Sequence, residues 1–117
     1  MLKTDTNNTT TAVATSKPIS PPFVFRDPEK LEKVYGCAHS IRELAEILPY
    51  IPYYSIQYHT YRIEPDNIVT NDLATWLRYV LGLNELADKV EEIAKEHAGM
   101  KLKEALIRVF NEHMFEE

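Results

Sequence analysis

The stretch from Ser55 to Trp76 begins with Ser-Ile-Gln-Tyr-His-Thr and ends with Asn-Asp-Leu-Ala-Thr-Trp. Polar side chains recur in it beside large aromatic ones, although the apolar stripes that explain the rest of the chain do not require them. From Leu73 onward the pattern becomes that of an amphipathic helix, with apolar residues three and four positions apart. The stretch therefore departs from the simple apolar pattern of the other helices, and it is the place where a function could be located.

The C-terminal half predicts three helices that each bury one apolar stripe. Asn71 or Thr70 is a good N-cap for the first helix, and Gly82 ends it. Asn84 is predicted to cap the second helix, and the third follows Gly99. The stripes are Leu73, Trp76, Leu77, Val80 and Leu81; then Leu86, Val90, Ile93, Ala94 and His97; then Leu102, Ala105, Leu106, Val109 and Phe110.

The N-terminal half contains two more helix signatures. Asp27-Pro28 reads as N-cap and first helical position, which predicts a helix that ends at Gly36. Ser40 followed by Glu43 matches a capping box and opens the next helix. The segment 53–63 is ambiguous, because its Tyr, Ile and Thr content favours a strand while its spacing fits a helix. We choose helix, since a lone strand has no partner, and the predicted fold is an all-α bundle of five or six short helices.

Composition limits the classes of protein that fit. The 117-residue chain has room for one domain, which we place at residues 23–117 behind a disordered Thr/Asn/Ser/Pro-rich tail at residues 1–22. The net charge of −5 disfavours binding to nucleic acid. Cys37 is the only cysteine, which excludes an intrachain disulfide. No apolar run is long enough for a membrane span and no signal peptide is recognisable, so a cytoplasmic location is expected. Gln57 is the only glutamine, a bias compatible with a thermophilic source.

The polar residues of the opening stretch permit a structural and a functional interpretation. Ser55 and His59 are four residues apart, so on a helix their side chains can meet, and Asp72 could orient the imidazole as in a nucleophilic triad. No Gly-rich elbow accompanies them, however, and Asn71 and Asp72 also suit the first turn of a helix. The structural interpretation, in which His59 hydrogen-bonds inside the core to a backbone carbonyl or to Asp72, is favoured. The histidines lack metal-site spacing, so no metal and no cofactor are predicted.

Tyrosine is concentrated between positions 50 and 61, where five occur in twelve residues. Tyrosine is favoured at interfaces because its ring buries well while its hydroxyl remains solvated. A tyrosine-rich core edge is the alternative interpretation. We predict a protein partner for this surface and leave a homo-oligomer open.

The two polar signatures resemble those of a family of bacterial and archaeal domains of unknown function. Its members pair Ser-Ile-x-x-His-Thr with Asn-Asp-Phe/Leu-Ala-x-Trp, as residues 55–60 and 71–76 do here, followed by a Leu-Gly and Glu-Leu-Ala helix pair like residues 81–87. Residues 36–44 also resemble the family's lead-in to its second helix, so the resemblance covers about residues 25–112. Some relatives lie beside or are fused to glycosyltransferases, which implies an accessory role. The loop at 64–70 is shorter than in many relatives.

These observations predict a non-catalytic protein-interaction or accessory module that uses the tyrosine-rich surface. The alternative is a small-molecule site, for a sugar or sugar phosphate, that assists a glycosyltransferase and contains His59, Asn71 and Asp72. Catalysis ranks third. The candidate binding residues are Tyr54, Ser55, Tyr58, His59, Tyr61, Asn71 and Asp72.

Overall fold

The computed structural model, which describes residues 21–116, contains two β-hairpins as well as helices, so the all-α prediction is wrong. The domain is mixed α and β. Its elements are β1 (Phe23–Asp27), β2 (Lys30–Ala38), α1 (Ile41–Ile47), a 3-10 helix (Leu48–Tyr50), α2 (Tyr53–Thr60), β3 (Arg62–Ile63), β4 (Val69–Thr70), α3 (Asp72–Tyr79), α4 (Asn84–Glu96) and α5 (Gly99–Glu116). The predicted tail at 1–22 lies outside the described residues except for its last two prolines, and it stays a prediction.

The first hairpin replaces the helix predicted after Asp27. The Asp27 side chain accepts hydrogen bonds from the backbone N–H groups of Glu29 (2.8 Å) and Lys30 (3.2 Å), so it closes a turn instead of capping a helix. Aspartate suits either role, and here tertiary burial decides between them. Phe23 and Phe25 alternate with more exposed residues and fill the core with the period of a strand.

The strands β1 and β2 pair antiparallel, with Phe23 opposite Ala38 and Phe25 opposite Gly36. Gly36 was predicted as a left-handed helix end, and that prediction is wrong. A Cβ at this position would lie 3.1 Å from the Ile51 side chain, so the glycine allows close packing in a strand. The ladder becomes irregular on both sides of Arg26, where β1 leaves its regular register with β2.

The ambiguous segment 53–63 contains both predicted structures. It is helical as α2 up to Thr60 and then continues into β3, which pairs with β4 across a turn at Asn67 (φ 67°). The argument that a strand here has no partner is wrong, because the partner follows within the segment we predicted as a loop. Gln57 in α2 accepts a hydrogen bond of 2.8 Å from the N–H of Gly99 and joins α2 to the start of α5.

The helix signatures at α1 and α3 are confirmed. Ser40 accepts a hydrogen bond from the Glu43 N–H, and Asn71 accepts one from the Ala74 N–H. The N-cap of α4 is Leu83 and not Asn84, which is the first helical residue. Gly82 and Gly99 have the left-handed conformation that lets the chain turn between helices. The fully buried core includes Phe25, Leu44, Leu48, Ile56, Leu73, Leu77, Val90, Leu102, Leu106 and Phe110.

Trp76 joins the helical core to the hairpin, so we expect Trp76→Ala to destabilise the domain by about 3–5 kcal/mol. The ring packs 5.7 Å from Phe23, centroid to centroid, and its Nε1 donates a 2.8 Å hydrogen bond to the Pro21 carbonyl. Thermal or urea unfolding measures the loss. Tyr79→Ala on the same helix is the control, because Tyr79 is exposed. An unchanged melting temperature for Trp76→Ala would contradict the packing.

Candidate functional site

Side chains of α2 hold the backbone of Arg26, at the point where β1 and β2 lose their regular pairing. The Arg26 N–H donates to His59 Nε2 at 3.0 Å, and Ser55 Oγ donates to the Arg26 carbonyl at 2.7 Å. Because Ser55 and His59 are one helical turn apart on α2, both face the same peptide segment. They provide the acceptor and the donor that a neighbouring strand would otherwise provide. The spacing of Ser55 and His59 therefore allows α2 to close the edge of β1.

The hydrogen bonds of His59 determine which ring nitrogen carries the proton. A backbone N–H can only donate, so Nε2 accepts and carries no hydrogen in this arrangement. Nδ1 then carries the hydrogen and donates to Asp72 Oδ2 at 3.0 Å. His59 is therefore a neutral imidazole that links β1 to the start of α3. It is buried, and the rings of Phe23, Phe25 and Tyr58 meet it edge to face.

Arg62 completes this network from the other side of Asp72. Its guanidinium donates to Asp72 Oδ2 at 2.9 Å and Oδ1 at 3.2 Å, a two-point contact, and also to Glu64 at 2.7 Å. It lies 4.5 Å from the centre of the Tyr58 ring. Burial raises the pKa of Asp72, but hydrogen bonds from His59 and Arg62 outweigh it and bring the pKa to about 2. We call Ser55, His59, Arg62 and Asp72, with the Arg26 backbone, the His59 network.

The His59 network does not have the geometry of a nucleophilic triad. Ser55 is completely buried and its hydroxyl hydrogen is donated to the Arg26 carbonyl. His59 Nε2, the atom that would act as a base toward serine, accepts instead from the Arg26 N–H. Each of these polar atoms thus has a structural partner, and the arrangement favours the structural interpretation of the signature.

Asn71 precedes Asp72 in the sequence, but it lines a pocket and does not take part in the His59 network. Its Oδ1 caps α3 by accepting from Ala74 at 2.8 Å, while its buried Nδ2 has no hydrogen-bond partner within residues 21–116. Asn71 lines a half-open pocket of about 430 Å³ between β4, α3 and α4. We call it the Asn71 pocket; its other lining residues are Thr60, Tyr61, Val69, Thr70, Thr75, Glu91 and Lys95. His59 and Asp72 are not among the residues that line it.

The tyrosines separate into two groups. Tyr50, Tyr53 and Tyr54 are exposed, whereas Tyr58 and Tyr61 are half-buried. The Tyr54 hydroxyl lies 3.2 Å from that of Tyr35 on β2. We call Tyr35, Tyr50, Tyr53 and Tyr54 the tyrosine surface.

The seven predicted binding residues therefore do not form one site. Ser55, His59 and Asp72 belong to the His59 network, and Tyr58 packs against it. Tyr61 and Asn71 line the Asn71 pocket. Tyr54 lies on the tyrosine surface. Sequence reasoning missed Arg62, which could have been found by asking which cation balances a carboxylate in the first turn of α3. It also missed Arg26, whose contribution through its backbone leaves no signal in residue type.

The described residues contain neither a metal-binding cluster nor a membrane-spanning helix. Among the described residues, no three His, Cys, Asp or Glu side chains converge in a way that could hold a metal ion. No helix within residues 21–116 combines the length and apolar character needed to cross a membrane.

The fold and the His59 network define a small mixed α/β domain in which one helix closes the edge of a hairpin through side chains. A profile described as a family of unknown function (DUF5752) matches residues 20–117. The chain belongs to this family. Neither a curated protein nor a solved structure shows significant similarity to the chain.

A double-mutant cycle on His59 and Asp72 tests the structural role of the network. His59→Ala leaves the Arg26 N–H without its acceptor and Asp72 without one donor, so we expect a loss of about 1–3 kcal/mol in unfolding free energy. Because the residues share one network, the losses of His59→Ala and Asp72→Asn should not add, with a coupling of at least about 0.5 kcal/mol. Urea unfolding measures all three variants, and His97→Ala, at an exposed histidine, is the control. Two neutral substitutions would overturn the structural role.

The low pKa of Asp72 predicts an acid-dependent contribution to stability. The carboxyl has a pKa of about 2 in the folded protein against an ordinary value of 3.8, so the folded state favours the ionised form. The contribution is fully present above pH 3.8 and is lost as the pH falls toward about 2. Urea unfolding across this range should show a smaller acid loss in Asp72→Asn than in the wild type. Parallel pH profiles for the two proteins would contradict the assignment.

Proposed function

We propose that the chain is a non-catalytic protein-interaction or accessory module that binds a protein partner through the tyrosine surface. The observation that supports this proposal best is the exposure of Tyr50, Tyr53 and Tyr54, at 84%, 44% and 43%. These large rings follow one another within five residues and contribute little to the core. Tyrosine at such a position can bury an apolar ring against a partner while its hydroxyl makes hydrogen bonds at the rim.

Part of the tyrosine surface is held in place by contacts within the domain. The Tyr35 hydroxyl donates to Asp27 at 2.6 Å, and the Tyr54 hydroxyl lies 3.2 Å from it. The rings of Tyr53 and Tyr54 pack edge to face at 5.6 Å, and Tyr54 packs against Tyr35 in the same way at 6.0 Å. Rings that are ordered before binding lose less conformational entropy when a partner arrives. This order supports a binding role.

The surroundings of the tyrosine surface indicate the kind of partner that fits. Leu31 and Val34 on β2, the strand that carries Tyr35, are each about half exposed, and Lys33 lies 5.2 Å from the centre of the Tyr35 ring. Apolar rings with lysine and carboxylate groups around them resemble the composition of a transient protein interface more than that of a nucleic-acid site. The partner is expected to present an apolar or aromatic patch with polar groups at its edge.

The alternative, a sugar or sugar-phosphate site that assists a glycosyltransferase, has less support. It requires His59 and Asp72 to face a ligand, but their polar atoms bind Arg26 and Arg62. Asn71 alone of the three lines a pocket. The association with glycosyltransferases that the family resemblance implies stays a prediction.

Affinity purification from native cells with matched variants tests the proposed function. We expect Tyr50→Ala combined with Tyr53→Ala to lose a partner that the wild type retains, because large aromatic residues dominate interface energies, at about 2 kcal/mol or more each. Tyr79→Ala is the control, since Tyr79 is an exposed tyrosine on α3, outside the tyrosine surface. The captured protein is then purified and its affinity for each variant is measured by titration calorimetry.

A purified partner that binds the double variant as tightly as the wild type would contradict the use of the tyrosine surface. Equal loss in Tyr79→Ala would also contradict it, because the effect would then not be specific to that surface. Melting temperatures of all variants show whether the fold is retained.

A further inference from the structure

Asn71, a lining residue of the Asn71 pocket, has a hydrogen-bond donor that the described part of the fold leaves unused. Oδ1 of Asn71 is fixed by its role as the cap of α3, which directs Nδ2 elsewhere. That nitrogen is buried and has no partner within the described part of the chain. An unpaired buried amide N–H is destabilising, because it has lost its hydrogen bonds to water and gained none in return. A serine or aspartate could cap α3 without this cost, so the presence of an amide is a feature that the helix alone does not explain.

The pocket also contains one charge of each sign on α4. The Lys95 ammonium forms no ion pair with any residue in 21–116, and it lies one turn after Glu91. Glu91 Oε1 accepts from Arg78 at 3.1 Å, which leaves Oε2 for another donor. A cation and a carboxylate oxygen are therefore available in the lining of the same pocket.

We propose that the Asn71 pocket binds a small zwitterion of the α-amino-acid type. The ligand carboxylate would pair with Lys95 and accept from Asn71 Nδ2, and its ammonium group would donate to Glu91 Oε2. A simple anion would give Glu91 Oε2 no donor, and a simple amine would meet the uncompensated charge of Lys95. Tyr61 and Val69 offer an apolar wall for the ligand side chain, and a volume of about 430 Å³ lies within the range of small-molecule pockets.

Binding requires a small rearrangement of the lining. Nδ2 is buried in the unliganded protein, so a ligand oxygen can reach it only when the neighbouring side chains shift. The Asn71 side-chain amide should therefore change its environment on binding. Its proton signals report this change directly, because they belong to the donor that the proposal assigns to the ligand.

NMR titration of the full ¹⁵N-labelled chain tests the proposal. The probes are the proteinogenic α-amino acids, added one at a time. For each amino acid that binds, two analogues follow: the 2-hydroxy acid, which lacks the ammonium group, and the amine that lacks the carboxylate; for leucine these are 2-hydroxy-4-methylpentanoate and 3-methylbutylamine. We expect at least one amino acid to shift the Asn71 side-chain amide signals in a saturable way, and the corresponding acid and amine to bind at least about tenfold more weakly, a difference of 1.4 kcal/mol.

Three variants separate recognition from folding. Asn71→Asp keeps an acceptor that caps α3 and removes the Nδ2 donor, so it should retain the fold and bind the selected amino acid at least about tenfold more weakly. Lys95→Met should do the same, whereas Lys89→Met, on α4 but outside this pocket, should bind as the wild type does. The signals of Ala74 and Thr75 verify that α3 remains capped.

The proposal is overturned if no amino acid shifts these signals, if the hydroxy acid or the amine binds as well as the amino acid it matches, or if Asn71→Asp binds like the wild type. It goes beyond the proposed interaction module and does not depend on it, because the tyrosine surface and the Asn71 pocket share no residue.

Discussion

The structure depends on how one peptide segment, the backbone of Arg26, is satisfied at the edge of β1. A strand in a two-stranded hairpin has one edge whose N–H and C=O groups need partners other than the hairpin itself. Here Ser55 and His59 of α2 provide them. This contact sets the distance between the hairpin and the helices. It also keeps Phe23 and Phe25 in the core, where they contact His59 and Trp76.

The same contact extends to the rest of the domain through the second nitrogen of His59. Asp72 accepts from it at the first turn of α3, and Arg62 joins β3 to the same carboxylate. His59 and Asp72, together with Arg62, thus connect the first hairpin, α2, the second hairpin and α3. Since α2 is held in this way, Tyr54 at its start is placed against Tyr35 on β2, and Tyr53 packs against Tyr54. The position of these α2 residues in the tyrosine surface is a consequence of the His59 network.

The sequence predicted the elements whose signals are local, and it did not predict those that depend on distant partners. The stripes of α3, α4 and α5 and the caps at Ser40 and Asn71 were read correctly, because period and cap chemistry act within one element. His97 is the exception, since it is exposed and follows the last residue of α4. Asp27-Pro28 was misread, since the same two residues begin a helix or a turn and only the burial of Phe23 and Phe25 decides between them. The hairpin of β3 and β4 was missed because each strand has only two residues. The preference for a structural role of His59 anticipated the bond to Asp72, but the bond to the Arg26 backbone has no sequence signal.

These findings separate the conspicuous signature from the surfaces proposed for binding. Ser55, His59 and Asp72 resemble catalytic residues in the sequence, but their polar atoms have partners within the fold. The groups that remain for a ligand or a partner are less conspicuous: exposed tyrosine rings, the Asn71 amide and the Lys95 ammonium. A conspicuous sequence motif in a protein of unknown function can therefore stabilise the fold, while the surfaces proposed for binding lie beside it.

The closure of the β1 edge by α2 is tested most directly by native-state hydrogen exchange at the Arg26 amide. Because this N–H donates to the buried imidazole of His59, its exchange should require the global unfolding that also exposes the buried helical amides of Leu77 and Val90. Protection of Arg26 equal to that of the core amides is the expected result. Exchange at Arg26 as fast as at an exposed turn amide such as that of Asp66 would show that α2 does not hold this edge, and it would contradict the account.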